Sequence, residues 1–251
     1  MRYNISDNKY KFEGAGDAKM QKMFLKHETL SCILLIVAYV VINSYCMQNF
    51  GLADYRSTII NTLISILLIW LIIKLGRVRY YGFTKVHAPK KYLYFIPLIL
   101  IASVNLWGGM KINFTVGETL FFVLTMINVG FIEEVIFRGF LFKMMAKDNL
   151  KLAIIVSAVT FGIGHIVNLL NGGDLIPTLL QIFYAIALGY LFVIIFYKSK
   201  SLVPCIITHI LINVSSIFNA NTSDTSYLIP LFIIIVSVSY ALYINRKVKV
   251  A

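Results

Sequence analysis

Apolar residues in this chain come in long unbroken runs separated by short polar loops, not at the alternating spacing of half-buried surface elements. Eight runs can be marked, at roughly 30–47, 57–75, 92–107, 116–142, 152–170, 175–197, 202–218 and 227–244. Helices of this length cover the ~30 Å hydrocarbon core of a bilayer, the shorter ones with help from flanking residues. The third run is the shortest, and His209 and Asn213 interrupt the seventh. Between the runs lie polar loops such as NGGD from 171, KSKS from 198 and NANTSDTS from 219, with the Gly, Asn and Ser content expected of turns. The pattern predicts an all-α polytopic membrane protein, a bundle of about eight transmembrane helices. A polar segment, 1–29, precedes a membrane domain, 30–251.

Composition agrees. Of 251 residues, 59% are hydrophobic and only 14% charged, with a mean hydropathy of +0.81, a balance foreign to soluble domains. The net charge of +12 would suit a nucleic-acid binder, but its placement points elsewhere. Of 23 Lys and Arg, 20 fall in the two termini and alternate loops, two in the remaining loops, and one, Arg138, inside the fourth run. This split predicts both termini in the cytoplasm and an even number of spans. The basic loops then face anionic membrane lipid, and no nucleic-acid partner is needed. The three cysteines, Cys32, Cys46 and Cys205, have no disulfide or metal-type spacing and read as small buried hydrophobes. The first 29 residues are too long and mixed in charge for a secretory leader, so the first run reads as a retained helix.

Against this background, five ionisable groups stand inside predicted spans: Glu133, Glu134, Arg138, His165 and His209. Intramembrane charges are costly and mark functional sites by default. At ~1.5 Å per residue, Glu133 lies about 13 Å, His165 about 20 Å, His209 about 10 Å and Asn213 about 16 Å from the basic-loop ends of their spans. Three helices thus bring polar groups to a common depth. Glu134 and Arg138, four apart, can pair on one face. Glu133, turned roughly 100° away from Glu134, is then the unpaired carboxylate, available to take a proton from water. Gly162 and Gly164, just before His165, allow another helix to approach closely. His209 and Asn213 are four apart and share a face. The set suits amide hydrolysis, with a carboxylate base, an assisting imidazole and a His/Asn pair to stabilise an oxyanion. Glu133, His165 and His209 would also meet the donor demand of a His₂Glu zinc site, although no H-E-x-x-H motif is present. The Ser, Asn and Cys of the first span, and Glu118, read as packing or interface residues.

In order along the chain, EEVIFRG at 133–139, FGIGH at 161–165 and HILIN at 209–213 resemble the E-E-x-x-x-R, F-x-x-x-H and H-x-x-x-N/D motifs of the CAAX prenyl protease and bacteriocin-processing (CPBP or Abi) family. The stretches QIFYAIALGY from Gln181 and KSKSLVP before His209 are similar to its intervening pattern. The resemblance covers about 116–218 and implies an eight-helix core with a site inside the membrane. Glu133 would be the water-activating base assisted by His165, and His209 and Asn213 the oxyanion pair, with Glu134 and Arg138 in support. It leaves open a metal-dependent or a glutamate-only hydrolase. The implied partner is a membrane-associated peptide or protein substrate. The Lys-, Ile- and Asn-rich, short-looped build resembles a Gram-positive plasma-membrane protein, for which the family implies bacteriocin self-immunity or peptide-signal maturation. A non-catalytic immunity or binding protein is the main rival reading. A proton-coupled transporter ranks below it, because paired broken helices are missing.

Overall fold

A computed structural model describes residues 17–220 and 227–251. The start of the polar N-terminal segment and most of the NANTSDTS loop lie outside the described residues. The helices are α1 (Ala18–Lys26), α2 (Glu28–Asn49), α3 (Tyr55–Lys74), α4 (Ile96–Ser103), α5 (Val116–Glu134), α6 (Lys143–Met145), α7 (Leu150–Gly164), α8 (Val167–Leu170), α9 (Leu175–Ser199), α10 (Val203–Ser215) and α11 (Leu228–Lys247). A π-helical stretch, Val135–Phe142, joins α5 to α6. Among the described residues the only strand-like feature is an isolated bridge between Met110 and Asn219.

Among the described residues six helices are long and apolar enough to cross a membrane: Glu28–Asn49, Tyr55–Lys74, Val116–Met145, Leu150–Leu170, Leu175–Ser199 and Leu228–Lys247. The other two expected spans are shorter. Run 92–107 becomes helical only at Ile96, because Leu93, Tyr94 and Phe95 have left-handed φ of 50°, 49° and 60°, and Pro97 sits in the first turn of α4. The seventh run forms the apolar helix Val203–Phe218. The all-helical architecture expected from the apolar runs holds, with six helices long enough to span and, in the other two runs, shorter apolar helices. One boundary moves: α1 and the start of α2 fall inside the polar segment expected to precede the bundle.

Side-chain caps start several helices where the sequence changes from loop to apolar run. Asp54 accepts from the Arg56 amide at α3, and Asn149 accepts from the Leu152 amide at α7. Thr115 and Glu118 form a reciprocal capping box at α5, satisfying amides that the first helical turn leaves free.

Helix α9 is the buried centre, packed against α7 on one side and α11 on the other. From Leu191 to Phe196 every residue is buried, as expected for a helix apolar all round. Helix α5 packs against α3 and α10. Thr58 and Thr125 share a 2.8 Å hydroxyl hydrogen bond across α3 and α5, and Asn128 donates to Thr62 at 3.1 Å. By contrast, Leu34, Val41, Leu63, Ile66 and Ile235 are exposed, an outer surface suited to acyl chains.

The loops sort to two ends. At one end Asp17 and Gln21 bond the carbonyls of Lys74 and Leu75, and Leu202 bonds that of Gly82. There too the Ala251 amide bonds Lys198 and Lys147 pairs with Glu28. At the other end Ser44 and Gln48 donate to Asn171, and the Lys111 amide donates to Phe218. The loops counted as basic therefore share one end, and the sparsely charged loops the other.

Close approach of α7 and α9 depends on one glycine. A Cβ on Gly162 would lie 2.3 Å from Ile186 Cγ1 and 2.8 Å from the Ile182 carbonyl oxygen. Gly164, expected to serve the same purpose, has nothing within 4 Å of such an atom. Gly162→Ala should therefore lower stability by about 1–3 kcal/mol, read as a depressed unfolding midpoint in detergent, while Gly164→Ala should leave the midpoint unchanged.

Candidate active site

The centre of the site is a buried chain of ionisable groups running from α5 to α10. Arg138 Nη1 donates to Glu134 Oε1 at 2.9 Å, with both side chains fully buried. The same oxygen lies 2.9 Å from His209 Nδ1. An ionised Glu134 has no proton to give, so the proton in that contact sits on Nδ1. The opposite ring nitrogen, Nε2, lies 3.6 Å from Glu133 Oε2. Tyr39 completes the chain from α2, donating its hydroxyl to Glu133 Oε1 at 3.0 Å.

Two expectations are corrected here. Glu133 is not unpaired, since Tyr39 and His209 both contact it. Glu133 and Glu134 also meet at one residue despite their different directions, because the two nitrogens of His209 face different carboxylates. The expected Glu134–Arg138 pair is present, but within a widened turn: Val135–Phe142 is π-helical, not a continuation of α5. Such stretches occur often at functional sites. Ser157 of α7 donates to the Phe137 carbonyl in this stretch at 2.9 Å.

Packing explains how α10 reaches the carboxylates. A Cβ on Gly130 would lie 2.8 Å from Ile210 Cγ1 and 3.1 Å from the Ile210 amide nitrogen. The bare glycine lets the α10 backbone touch α5 one residue beyond His209. On the other side, the Arg138 guanidinium lies 4.0 Å from the Phe161 ring centroid, a favourable cation–π position. A Cβ on Gly189 would come within 3.2 Å of Arg138 Nη2, so α9 leaves room for the cation. Phe161 also meets the rings of His165 and His209 edge-on, at 5.6 and 5.5 Å. The F-x-x-x-H spacing thus builds an aromatic wall shared by the cation and both imidazoles.

Glu133, His165, His209 and Asn213 all line one cavity of about 390 Å³, a size typical of small-ligand sites. Its wall also includes Tyr39, Asn43, Phe161, Asn168, Gln181 and Tyr184. Gly164 contributes here too, lining the cavity where it was expected to seat a helix. Glu134 and Arg138 stand behind the wall. A larger groove of about 1100 Å³, between the loop at Arg79–His87, α4 and α10, holds no carboxylate and none of the candidate catalytic residues, though Lys200, Ser201, Val203 and Pro204 of the KSKSLVP stretch border it.

Tyr39 is the contact that sequence reading missed. It lies in the first span, outside every motif, and a tyrosine in an apolar run carries no sign of function. Asn43 and Ser44, read as packing residues, also line the cavity. For zinc, the donors would be Glu133, His165 and His209. Among the described residues, however, no three His, Cys, Asp or Glu side chains form a group that could hold a metal ion. The donor arrangement does not fit a preformed His₂Glu centre.

Residues 115–215 match the family model described as type II CAAX prenyl endopeptidase Rce1-like. All three motifs fall inside this stretch, and Tyr39 lies outside it. No curated protein matches the chain, and no solved structure does. The resemblance to the CPBP family is borne out over that stretch. Over that stretch the chain is similar to a family of membrane proteases, which supports a hydrolase activity in general terms within a multi-pass membrane protein.

The buried pair generates its own test. Removing one partner strands the other charge at a cost of about 3–5 kcal/mol, whereas replacing both is far milder. Arg138→Ala should thus strongly depress the unfolding midpoint, and the double variant Glu134→Gln/Arg138→Met should recover most of the loss.

Proposed function

We propose that the protein is an intramembrane endopeptidase that cuts a peptide bond of a membrane-associated peptide or protein with a water molecule activated by Glu133. The observation that supports this most is the carboxylate of Glu133 at the cavity wall, held by the Tyr39 hydroxyl at 3.0 Å and faced by His209 Nε2 at 3.6 Å. A carboxylate oriented from two sides at a cavity wall is suited to general-base work.

In the proposed sequence, Glu133 takes a proton from water as the water oxygen bonds to the scissile carbonyl carbon. The carbonyl oxygen becomes an oxyanion. The Asn213 side-chain amide and His209 Nε2, when the ring is protonated, are the donors available to it. The C–N bond then breaks, and the departing amine takes the proton from Glu133. His165 lines the same cavity, where it can orient the water or the leaving amine. Glu134 and Arg138 hold His209: Glu134 fixes the ring through Nδ1, and Arg138 fixes Glu134. This is the orienting relation that a third group plays in hydrolase triads.

The site chemistry requires no prenyl group, so an unmodified peptide is an equally suitable substrate. Maturation of a peptide signal, or self-immunity against a bacteriocin at the plasma membrane, are the settings we favour, with both termini in the cytoplasm.

Comparative peptidomics of membranes carrying wild-type or Glu133→Gln protein tests the proposal. The substitution keeps the shape and removes the base, so cleavage should fall by roughly a thousandfold or more while insertion and folding persist. General-base help alone is worth ~10²–10⁴-fold. Cleavage retained in a well-folded Glu133→Gln protein would remove the hydrolase reading. Protection that persisted in well-folded Glu133→Gln and His165→Ala proteins would favour the non-catalytic immunity reading. Tyr39→Phe deletes only the hydroxyl bond to Glu133 and should lower kcat/KM by roughly ten- to a hundredfold, in line with ~1.5–3 kcal/mol for hydrogen bonds to charged groups, with the unfolding midpoint little changed.

A further inference from the structure

The cavity has a direction. Beyond Glu133 and His209 its lining passes Asn43 and Asn168 to Met47, Leu52 and Asn171. These last three belong to the end where Ser44 and Gln48 bond Asn171. No residue of the basic loops at 74–91, 143–149, 198–202 or 245–251 contributes to the wall.

Its chemistry is specific as well. Glu133 is the only carboxylate in the lining, which contains no Lys, Arg or Asp. Five asparagines and a glutamine supply much of its uncharged polar lining. Asn168 Nδ2 donates to Gln181 Oε1 at 2.8 Å, which fixes these two amides across α8 and α9. Asn43 Oδ1 is buried and has no hydrogen-bond partner among the described residues. An acceptor buried without a partner costs free energy, and a backbone N–H laid along this wall would satisfy it.

We infer that the cavity admits an extended, uncharged stretch of polypeptide from the face opposite the basic loops. Side-chain amides along α2, α8 and α9 pair with the peptide's backbone groups on the way to Glu133. Because basic loops mark the cytoplasmic side, the substrate arrives from the outer face of the membrane. It is an exported or externally presented peptide, not a cytoplasmic protein tail. This rests on the hydrolase reading above and adds the side of entry and the class of substrate.

Single-cysteine labelling in intact cells tests it, with the wild-type protein as blank because its described cysteines are buried. A membrane-impermeant maleimide should label Asn168→Cys and Leu52→Cys from outside. It should label Lys90→Cys, in the basic loop at 74–91, only after permeabilisation. A bulky maleimide on Leu52→Cys should cut Glu133-dependent cleavage at least ~tenfold relative to the same unlabelled variant. Labelling of both cavity variants only after permeabilisation would overturn the inference and leave the hydrolase reading intact. Outside labelling with no loss of cleavage would overturn the proposed path. Absence of any Glu133-dependent cleavage would instead remove the hydrolase reading and, with it, the substrate class, while the labelling pattern still decided the side of access.

Discussion

Burying a full positive charge and a carboxylate with no exposed atoms is the constraint around which this bundle is arranged. Arg138 and Glu134 can sit in the low-dielectric interior only as a pair, and the surrounding elements accommodate that pair. The π-helical stretch carries Arg138, Gly189 leaves it space, Phe161 offers its ring face, and His209 takes up the oxygen that Arg138 also binds. Arg138 Nε and Nη2 and Glu134 Oε2 nonetheless find no hydrogen-bond partner among the described residues. A structural ion pair with so many unused groups is poor glue; the contact it does make beyond itself is with His209, through Glu134 Oε1.

From that clamp the rest of the site follows by contact. His209, held on Nδ1, has Nε2 left to face Glu133. Gly130 allows α10 close enough for this to happen, and Tyr39 closes the other side of the carboxylate. The Glu133 carboxylate is therefore the end of a chain of restrained groups, not an isolated charge. For the proposed hydrolysis, restraint of this kind would keep the reacting atoms in place without reorganisation. The remote helices α9 and α11 supply much of the rigidity, since α9 is buried along its inner half.

Much of this was legible beforehand. Run length and loop charge reported helices and two chemically distinct ends, because lipid tolerates only internally bonded backbone and because anionic membrane surfaces attract Lys and Arg. Spacing of four reported the Glu134–Arg138 pair and the shared face of His209 and Asn213. Depth counted along the spans placed the ionisable groups in one zone, and they do line one cavity with Asn213, apart from the pair behind its wall. The short third span was harder to read: its apolar run is long enough on paper, yet three consecutive residues in left-handed backbone delay the helix to Ile96.

Glu133, Glu134, Arg138, His165, His209 and Asn213 are chemically conspicuous in any apolar run, so the amino-acid sequence by itself named the candidate groups and the membrane setting. Which group touches which was decided only in three dimensions. Tyr39 lies 94 residues from its partner Glu133, and no local period links them. The division of His209 between two carboxylates depends on how far α10 sinks against Gly130. The widened turn of Val135–Phe142 resets side-chain directions that a regular helix would have assigned. Such contacts arise from close packing between helices distant in the chain, and spacing along one helix carries no information about the depth at which another settles against it.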